Sequence, residues 1–428
     1  MIEAKIAELS ACEAAGLISG GNLSSEDLVR SCLDRIKLRE DAVGAWEYLD
    51  PDHAIEQARV LDRGPQRGLL HGLPIGVKDL MDTADMPTRY GSIIYESHRP
   101  VSDAACVALA RAAGGVMLGK TVVPEFSTYM PGKTANPHNI LHTPGGSSSG
   151  AAAAVADFMV PLAFGTQTEG SIIRPAAYCG IVGFKPSFGL ICRAGVKPLV
   201  DSLDTVGVLA RDVPDVALFT AALTDRPALR LVDSLAAFPR VGICRTYEWG
   251  HAARETVDAF NVAAEVLSGA GAPVRDIVLP DKFRALNAAH GAVLRFEVAR
   301  SLAFERTARA AGFSPAFAEL MQSCVETSVE EYDRALAIIR TCRRELCDLY
   351  DDFDVLLAPS ATGEAPEGLH YTGDRILNRI WSALLVPCVH IPFFRGAQGL
   401  PVGVQVTGAL GEDAKTLTIA NWIHHQLT

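Results

Sequence analysis

The stretch Thr143-Pro144-Gly145-Gly146-Ser147-Ser148-Ser149-Gly150 runs without a break into Ala151-Ala152-Ala153-Ala154-Val155-Ala156, and no other segment restricts the fold as much. Glycines and serines feed directly into an alanine-rich helix. Such a loop presents backbone N–H groups at the positive end of a helix, which suits an anion or a developing oxyanion, and its glycines reach backbone angles that a Cβ forbids. The same wording fits a plain helix-capping turn, because serine is a favoured N-cap. Alone, the loop leaves both readings open.

A second loop, Gly165-Thr166-Gln167-Thr168-Glu169-Gly170-Ser171-Ile172-Ile173-Arg174-Pro175, follows a short apolar run that ends like a strand. Loops at strand ends are where α/β sheets hold reactive groups. This one lacks the Gly-x-Ser-x-Gly elbow of the α/β-hydrolases, and no Gly-Lys-Ser/Thr follows it, so esterase and phosphate-loop readings weaken. A third element, Gly76-Val77-Lys78-Asp79, puts a lysine at the end of an apolar strand. A lysine there is ordinarily a solvated strand end and less commonly a base.

The rest of the chain reads as α/β. Leu28, Cys32 and Ile36 recur every fourth position after Ser24-Ser25-Glu26-Asp27, whose serine and acid spacing resembles a capping box, and two N-terminal helices are expected within about residues 1–40. Short β-like runs then alternate with helix: Pro74 to Val77, a helix after Asp103 through Ala113, Val116 to Leu118, and Met159 to Phe164. Arg254 to Tyr350 reads mostly as helix, so a helical region of about 251–350 is expected as an insertion that supplies pocket walls. Strands return at Val355 to Leu357 and Val402 to Val406, and a final helix begins at Asp413. With no fixed-period repeat and no long Pro/Gly/Ser linker, residues 1–428 are expected to form a single domain.

Composition excludes several function classes. At 49% hydrophobic and 21% charged residues, the profile is that of a packed globular protein. Lys plus Arg number 39 against 50 Asp plus Glu, and the resulting net charge of −11 has the wrong sign for a nucleic-acid partner. The 10 cysteines contain no Cys-x-x-Cys pair, which gives a zinc site or redox dithiol no support. The start Met1-Ile2-Glu3-Ala4-Lys5 has no apolar signal core, and the apolar segment Ser382 to Phe394 is broken by Pro387 and Pro392, short of the roughly 18 residues a membrane span needs. The expectation is a reduced, cytoplasmic chain that does not enter a membrane.

Taken together and in this order, the lysine and the two serine–glycine loops resemble the amidase signature hydrolases, serine enzymes that cleave amide C–N bonds. The likeness runs from His71-Gly72-Leu73-Pro74-Ile75-Gly76-Val77-Lys78-Asp79 to Gly399-Leu400-Pro401-Val402-Gly403-Val404-Gln405. The second loop, continuing through Ala176-Ala177-Tyr178-Cys179-Gly180, is most similar to the short bacterial malonamidase branch. The resemblance implies an α/β amidase signature fold, with a mixed central β-sheet covered by helices on both faces. It implies Ser171 as nucleophile, Ser147 as a bridging serine on a cis peptide bond, and Lys78 as base. The oxyanion donors would be the backbone N–H groups of Thr168, Glu169, Gly170 and Ser171, with Gly145, Gly146 and Arg174 against the substrate. No metal or cofactor is implied, and the partner is a small-molecule amide.

The chemistry agrees with those assignments. A serine hydroxyl is a poor nucleophile until a base takes its proton, and no Ser-His-Asp set lies near these loops. Lysine can serve only when neutral, a state that burial favours. Arg174 can grip a carboxylate bidentately, which favours small acidic amides, or it can form a structural salt bridge. Glu169 departs from the glycine or small residue usual in the family: it points away, or it faces substrate or spoils the oxyanion hole, and the position loses latitude if it needs φ > 0. His138 and His142 flank the first loop and are given no role. Two rivals follow: a glutamine-dependent amidotransferase of the A-subunit type that works beside a partner, and a non-catalytic amide-binding member of the fold. A freestanding enzyme is expected as a homodimer on base rates.

Overall fold

A computed structural model describes residues 6–128, 130–230, 235 and 237–428. Helix starts follow from local side chains. Ser10 and Glu13 satisfy each other's backbone N–H groups in a capping box ahead of α1 (Ala11–Ser19). At α2 (Ser25–Val43), Ser24 accepts from the Asp27 N–H, and Leu28, Cys32 and Ile36 are buried as their fourfold spacing requires. The expected pair of N-terminal helices is present, running to Val43, with the reciprocal box on the first of them.

The chain continues through β1 (Trp46–Leu49), α3 (Pro51–Arg63), β2 (Pro74–Lys78), α4 (Ala105–Ala112), β3 (Val116–Thr121), α5 (Ser149–Ala156), β4 (Leu162–Gln167), α6 (Ile173–Cys179), β5 (Val182–Lys185), β6 (Thr205–Ala210) and α7 (Val213–Thr224). Then come β7 (Val241–Cys244), α8 (Arg254–Gly269), β8 (Val274–Ile277), α9 (Leu286–Ser301), α10 (Ala303–Ala308), α11 (Pro315–Val325), α12 (Val329–Asp352), β9 (Val355–Pro359), α13 (Ile376–Ala383), β10 (Cys388–Arg395), β11 (Pro401–Thr407) and α14 (Asp413–Leu427). The strands form one 11-stranded sheet in the order β1-β3-β2-β4-β6-β5-β10-β11-β9-β7-β8. It is mixed: β3, β2 and β4 run parallel, the pairs from β4 through to β9 are antiparallel, and β9, β7 and β8 are parallel again.

Every residue of β2, β3, β4 and β6 is buried, as expected of strands covered by helices on both faces. Such strands read as continuous apolar runs rather than alternating ones. Because β2 and β4 are parallel neighbours, Lys78 and Gln167 end their strands at the same edge of the sheet. That edge carries the candidate site. Among the described residues no helix is long and apolar enough to cross a membrane.

Several expectations need correction. The strand expected at Met159 to Phe164 runs from Leu162 to Gln167, so the first three residues assigned to the second loop, Gly165-Thr166-Gln167, complete the strand. The region expected to be helical from Arg254 contains β8, an edge strand whose central Arg275 and Asp276 are solvent-exposed and hide its β pattern. The apolar segment Ser382 to Phe394 supplies much of β10, whose register shifts between Pro392 and Phe394.

Close packing at the start of α5 gives a stability prediction. A Cβ at Gly150 would lie 2.2 Å from the Ala45 carbonyl oxygen and 2.4 Å from the Val122 nitrogen, both main-chain atoms that side-chain rotation cannot clear. Gly150→Ala is expected to destabilise the fold by about 1–3 kcal/mol. Urea unfolding checks this, and an unchanged midpoint would refute the packing described.

Candidate active site

Lys78 closes β2 with its side chain wholly buried. Its Nζ lies 2.9 Å from Ser147 Oγ, 3.1 Å from Ser148 Oγ and 2.8 Å from Thr166 Oγ1. Burial drives its pKa well below the ordinary lysine value, and the pull of Asp204 in the other direction does not reverse this. Lys120, equally buried, shows the contrast: it keeps a carboxylate, Asp79, at 3.3 Å. Among the described residues Lys78 has hydroxyl partners and no ion pair.

The first loop is not a plain capping turn. Ser148 precedes α5 without capping it; its hydroxyl accepts from Lys78 and reaches the Thr166 carbonyl oxygen at 3.4 Å. Ser149 Oγ donates to the Gly145 carbonyl oxygen at 2.7 Å, and the Gly146–Ser147 peptide bond is cis. Gly145 has φ 81°, and a Cβ there would meet Pro175 Cα at 2.8 Å, so backbone geometry and close packing both demand glycine.

Ser171 sits where β4 turns into α6. Its carbonyl oxygen accepts from the Ser148 N–H at 3.2 Å, which ties the two loops together. The Lys78–Ser147 link is formed, whereas the Ser171 hydroxyl has no hydrogen-bond partner among the described residues. Resting sites often hold such bonds open until substrate binds. Gln167, which the sequence did not single out, shapes the turn: its Oε1 accepts from the N–H groups of Ile172 at 3.0 Å and Ile173 at 3.1 Å, and its Nε2 donates to Ser382 Oγ at 3.1 Å. The N–H groups of Thr168, Glu169, Gly170 and Ser171 meet no acceptor among the described residues. Four consecutive unfilled donors form a cradle for negative charge.

The Glu169 side chain turns out of that cradle. Its carboxylate pairs with Arg379 Nε at 2.8 Å and Arg375 Nε at 3.2 Å. Burial alone would raise this carboxyl, but Arg375 and Arg379 outweigh it and hold the group below the usual carboxylate range. Glu169 is also absent from the residues with positive φ, so its backbone does not require glycine. Half-buried Asp204 accepts from Thr168 Oγ1 at 2.5 Å and from the N–H groups of Leu199 and Val200 at 2.7 and 2.9 Å.

Arg174 is buried, with Nε donating to the Thr372 carbonyl oxygen at 2.8 Å and Nη2 to the Gly146 carbonyl oxygen at 2.6 Å, while Nη1 has no partner among the described residues. No structural salt bridge to Arg174 exists among the described residues. His138 and the buried His142 bond the main-chain carbonyls of Cys179 and Ala365 at 2.9 and 2.7 Å.

The comparisons with known proteins match this architecture. The Amidase family model covers residues 27–417, and the chain belongs to that family. It is similar to the A component of the glutamyl-tRNA(Gln) amidotransferase of Lysinibacillus sphaericus (strain C3-41), 31% identical over 468 residues that span 97% of this chain and 95% of that one. It is similar in structure to a protein described as an amidase, with TM-score 0.90, 32% identity, and 98% and 100% of the two chains covered. A further likeness, with TM-score 0.89, 27% identity and 98% and 100% coverage, is to an inhibitor-bound structure from a vestigial protein complex that bears on the origins of an s-triazine catabolic enzyme. The amidase family and the mixed, helix-covered α/β sheet expected from the sequence are those found.

Proposed function

We propose that this chain hydrolyses an amide C–N bond through an acyl-enzyme on Ser171, with Ser147 passing protons between Ser171 and Lys78. The observation that supports this most is a fully buried lysine held by three hydroxyls. A neutral amine has two N–H donors and one lone pair. Ser148 directs its own proton at the Thr166 carbonyl oxygen and therefore accepts from Lys78. Ser147 and Thr166 remain to give a proton to the lone pair, and Ser147 is the one on the serine-rich loop tied to Ser171. The Ser171 oxygen attacks the amide carbon while its proton moves to Ser147 and that of Ser147 to Lys78. The carbonyl oxygen, now negative, occupies the cradle of N–H groups. The relay then runs backwards, the C–N bond breaks with the proton on the leaving nitrogen, and water releases the carboxylate by the same route.

Glu169, held by two arginines, favours catalysis over a binding-only role. For the substrate, the names of the relatives favour the setting of an amidotransferase A-type subunit, which takes ammonia from glutamine beside a partner, over the malonamidase branch. A freestanding amidase for small carboxylate-bearing amides is the second reading. The buried Nη1 of Arg174, unpartnered among the described residues, favours it, and on this reading Gly145 and Gly146 also face the substrate. Reduced thiols and a cytoplasmic setting fit either reading.

Ammonia release from glutamine and from a panel of small primary amides, half of them bearing a carboxylate, tests these readings on the purified chain. The first reading expects glutaminase activity and copurification with a partner protein. The second expects turnover by a homodimer, confined to carboxylate-bearing amides. If the Nη1 group of Arg174 holds that carboxylate, Arg174→Lys raises KM by about tenfold or more, since one charge-assisted hydrogen bond is worth about 1.5–3 kcal/mol. An unchanged KM removes Arg174 from the substrate site, and amide binding without turnover supports the non-catalytic rival.

A further inference from the structure

Glu169 places a carboxylate within the loop assigned to hold an oxyanion, and its surroundings give it a purpose. Its side chain is nearly enclosed, with Arg379 at 2.8 Å, Arg375 at 3.2 Å and His290 Nδ1 at 3.9 Å. Arg375 caps α13 and Arg379 lies one turn further on, so both reach Glu169 from the same face of that helix. Asn378, between them, rests against the next loop residue: a Cβ on Gly170 would come 2.6 Å from Asn378 Oδ1. From α9, His290 Nε2 donates to the Thr168 carbonyl oxygen at 2.9 Å. Thr168 and Glu169 are thus each bonded by helix side chains, and Gly170 packs against a third.

We infer that the Glu169 side chain is a positioning residue: its carboxylate, clamped by Arg375 and Arg379, locks the oxyanion loop onto α13 while the arginines cancel the charge that would oppose the oxyanion. The inference rests on the catalytic reading above. A carboxylate left unpaired in this loop would repel a second negative charge a few ångströms away, strongly so in a water-poor site. With both arginines present, the carboxylate's charge is compensated and the loop is held in place. Glu169 therefore matters in two ways, as an anchor when paired and as a hazard when not, which predicts a specific non-additivity among variants.

The test uses the rate at which a small alkyl fluorophosphonate labels the full-length protein, a reaction that needs no knowledge of the natural amide. Phosphonylation forms a bond from Ser171 Oγ to phosphorus, expels fluoride and develops charge on the phosphoryl oxygen. Glu169→Gln loses the anchor alone and is expected to lower the maximal labelling rate by about tenfold, with the half-saturating probe concentration little changed. Arg375→Gln with Arg379→Gln loses the anchor and frees the charge, for a loss of about a hundredfold. Adding Glu169→Gln to that pair should restore the rate about tenfold, to the level of the single variant, which a merely structural loss would not do. Thermal melts establish that each variant is folded, and the single variant decides the matter if the arginine pair does not fold. A wild-type rate in Glu169→Gln, or no recovery in the triple variant, overturns the inference. Undiminished labelling of Ser171→Ala, or none of the wild type, overturns the catalytic reading and this inference with it.

Discussion

Replacing Ser171 by alanine is expected to lower kcat by on the order of 10⁴-fold or more and to leave the fold unaltered. The magnitude follows from the loss of the covalent route, since a nucleophile acts as one unit with its base and only binding and the oxyanion cradle remain to assist water. The fold should persist because the buried Ser171 hydroxyl has no hydrogen-bond partner to lose among the described residues, so none of the mechanisms behind large destabilisation is engaged. Steady-state kinetics beside a thermal melt separates the two effects. Substantial residual turnover would move the nucleophile elsewhere.

Lys78→Met should be nearly as damaging, on the order of 10³-fold or more in kcat, because the proton relay then ends on a group that cannot accept. Its pH behaviour carries more information than its size. If Lys78 must be neutral, the wild-type rate falls as pH drops through its lowered pKa, and a flat profile from mildly acidic to alkaline pH contradicts that role. The same shift has a stability consequence. The unfolded lysine titrates near 10.4, whereas burial holds the folded one well below. Between those two values the unfolded state binds the extra proton, so stability rises with pH across that window and becomes independent of Lys78 below the folded pKa. Urea unfolding at several pH values should show that slope in the wild type and a weaker one in Lys78→Met.

Much of the site was legible because its parts are short, local and chemically unusual. Lys78 ends an apolar run, and Gly145 to Ser149 and Thr168 to Ser171 are contiguous, so reading along the chain finds them and the sheet brings them together. What escaped notice depends on partners far away in sequence. Gln167 looks like one polar residue among several until its amide is seen bonding Ile172, Ile173 and Ser382. Arg375 and Arg379 look like an ordinary polar helix face, yet they decide what Glu169 does. Strands followed the same rule. β2 and β3 were evident as apolar runs beside turn residues, whereas β8 is charged at its exposed edge and β5 is only four residues long, too short to show a period. Arg174 combined both cases: its position was plain, but the use of two of its nitrogens on main-chain carbonyls of Gly146 and Thr372 was not.

The central claim is that amide cleavage passes through a covalent acyl group on Ser171. The direct measurement is to quench turnover rapidly with acid and weigh the proteolytic peptide that contains Ser171. The expected result is a mass increase equal to the acyl group on that peptide, localised to Ser171 by fragmentation, decaying at the turnover rate and absent from Ser171→Ala. An adduct on another residue, or continued turnover by Ser171→Ala without any adduct, would contradict it.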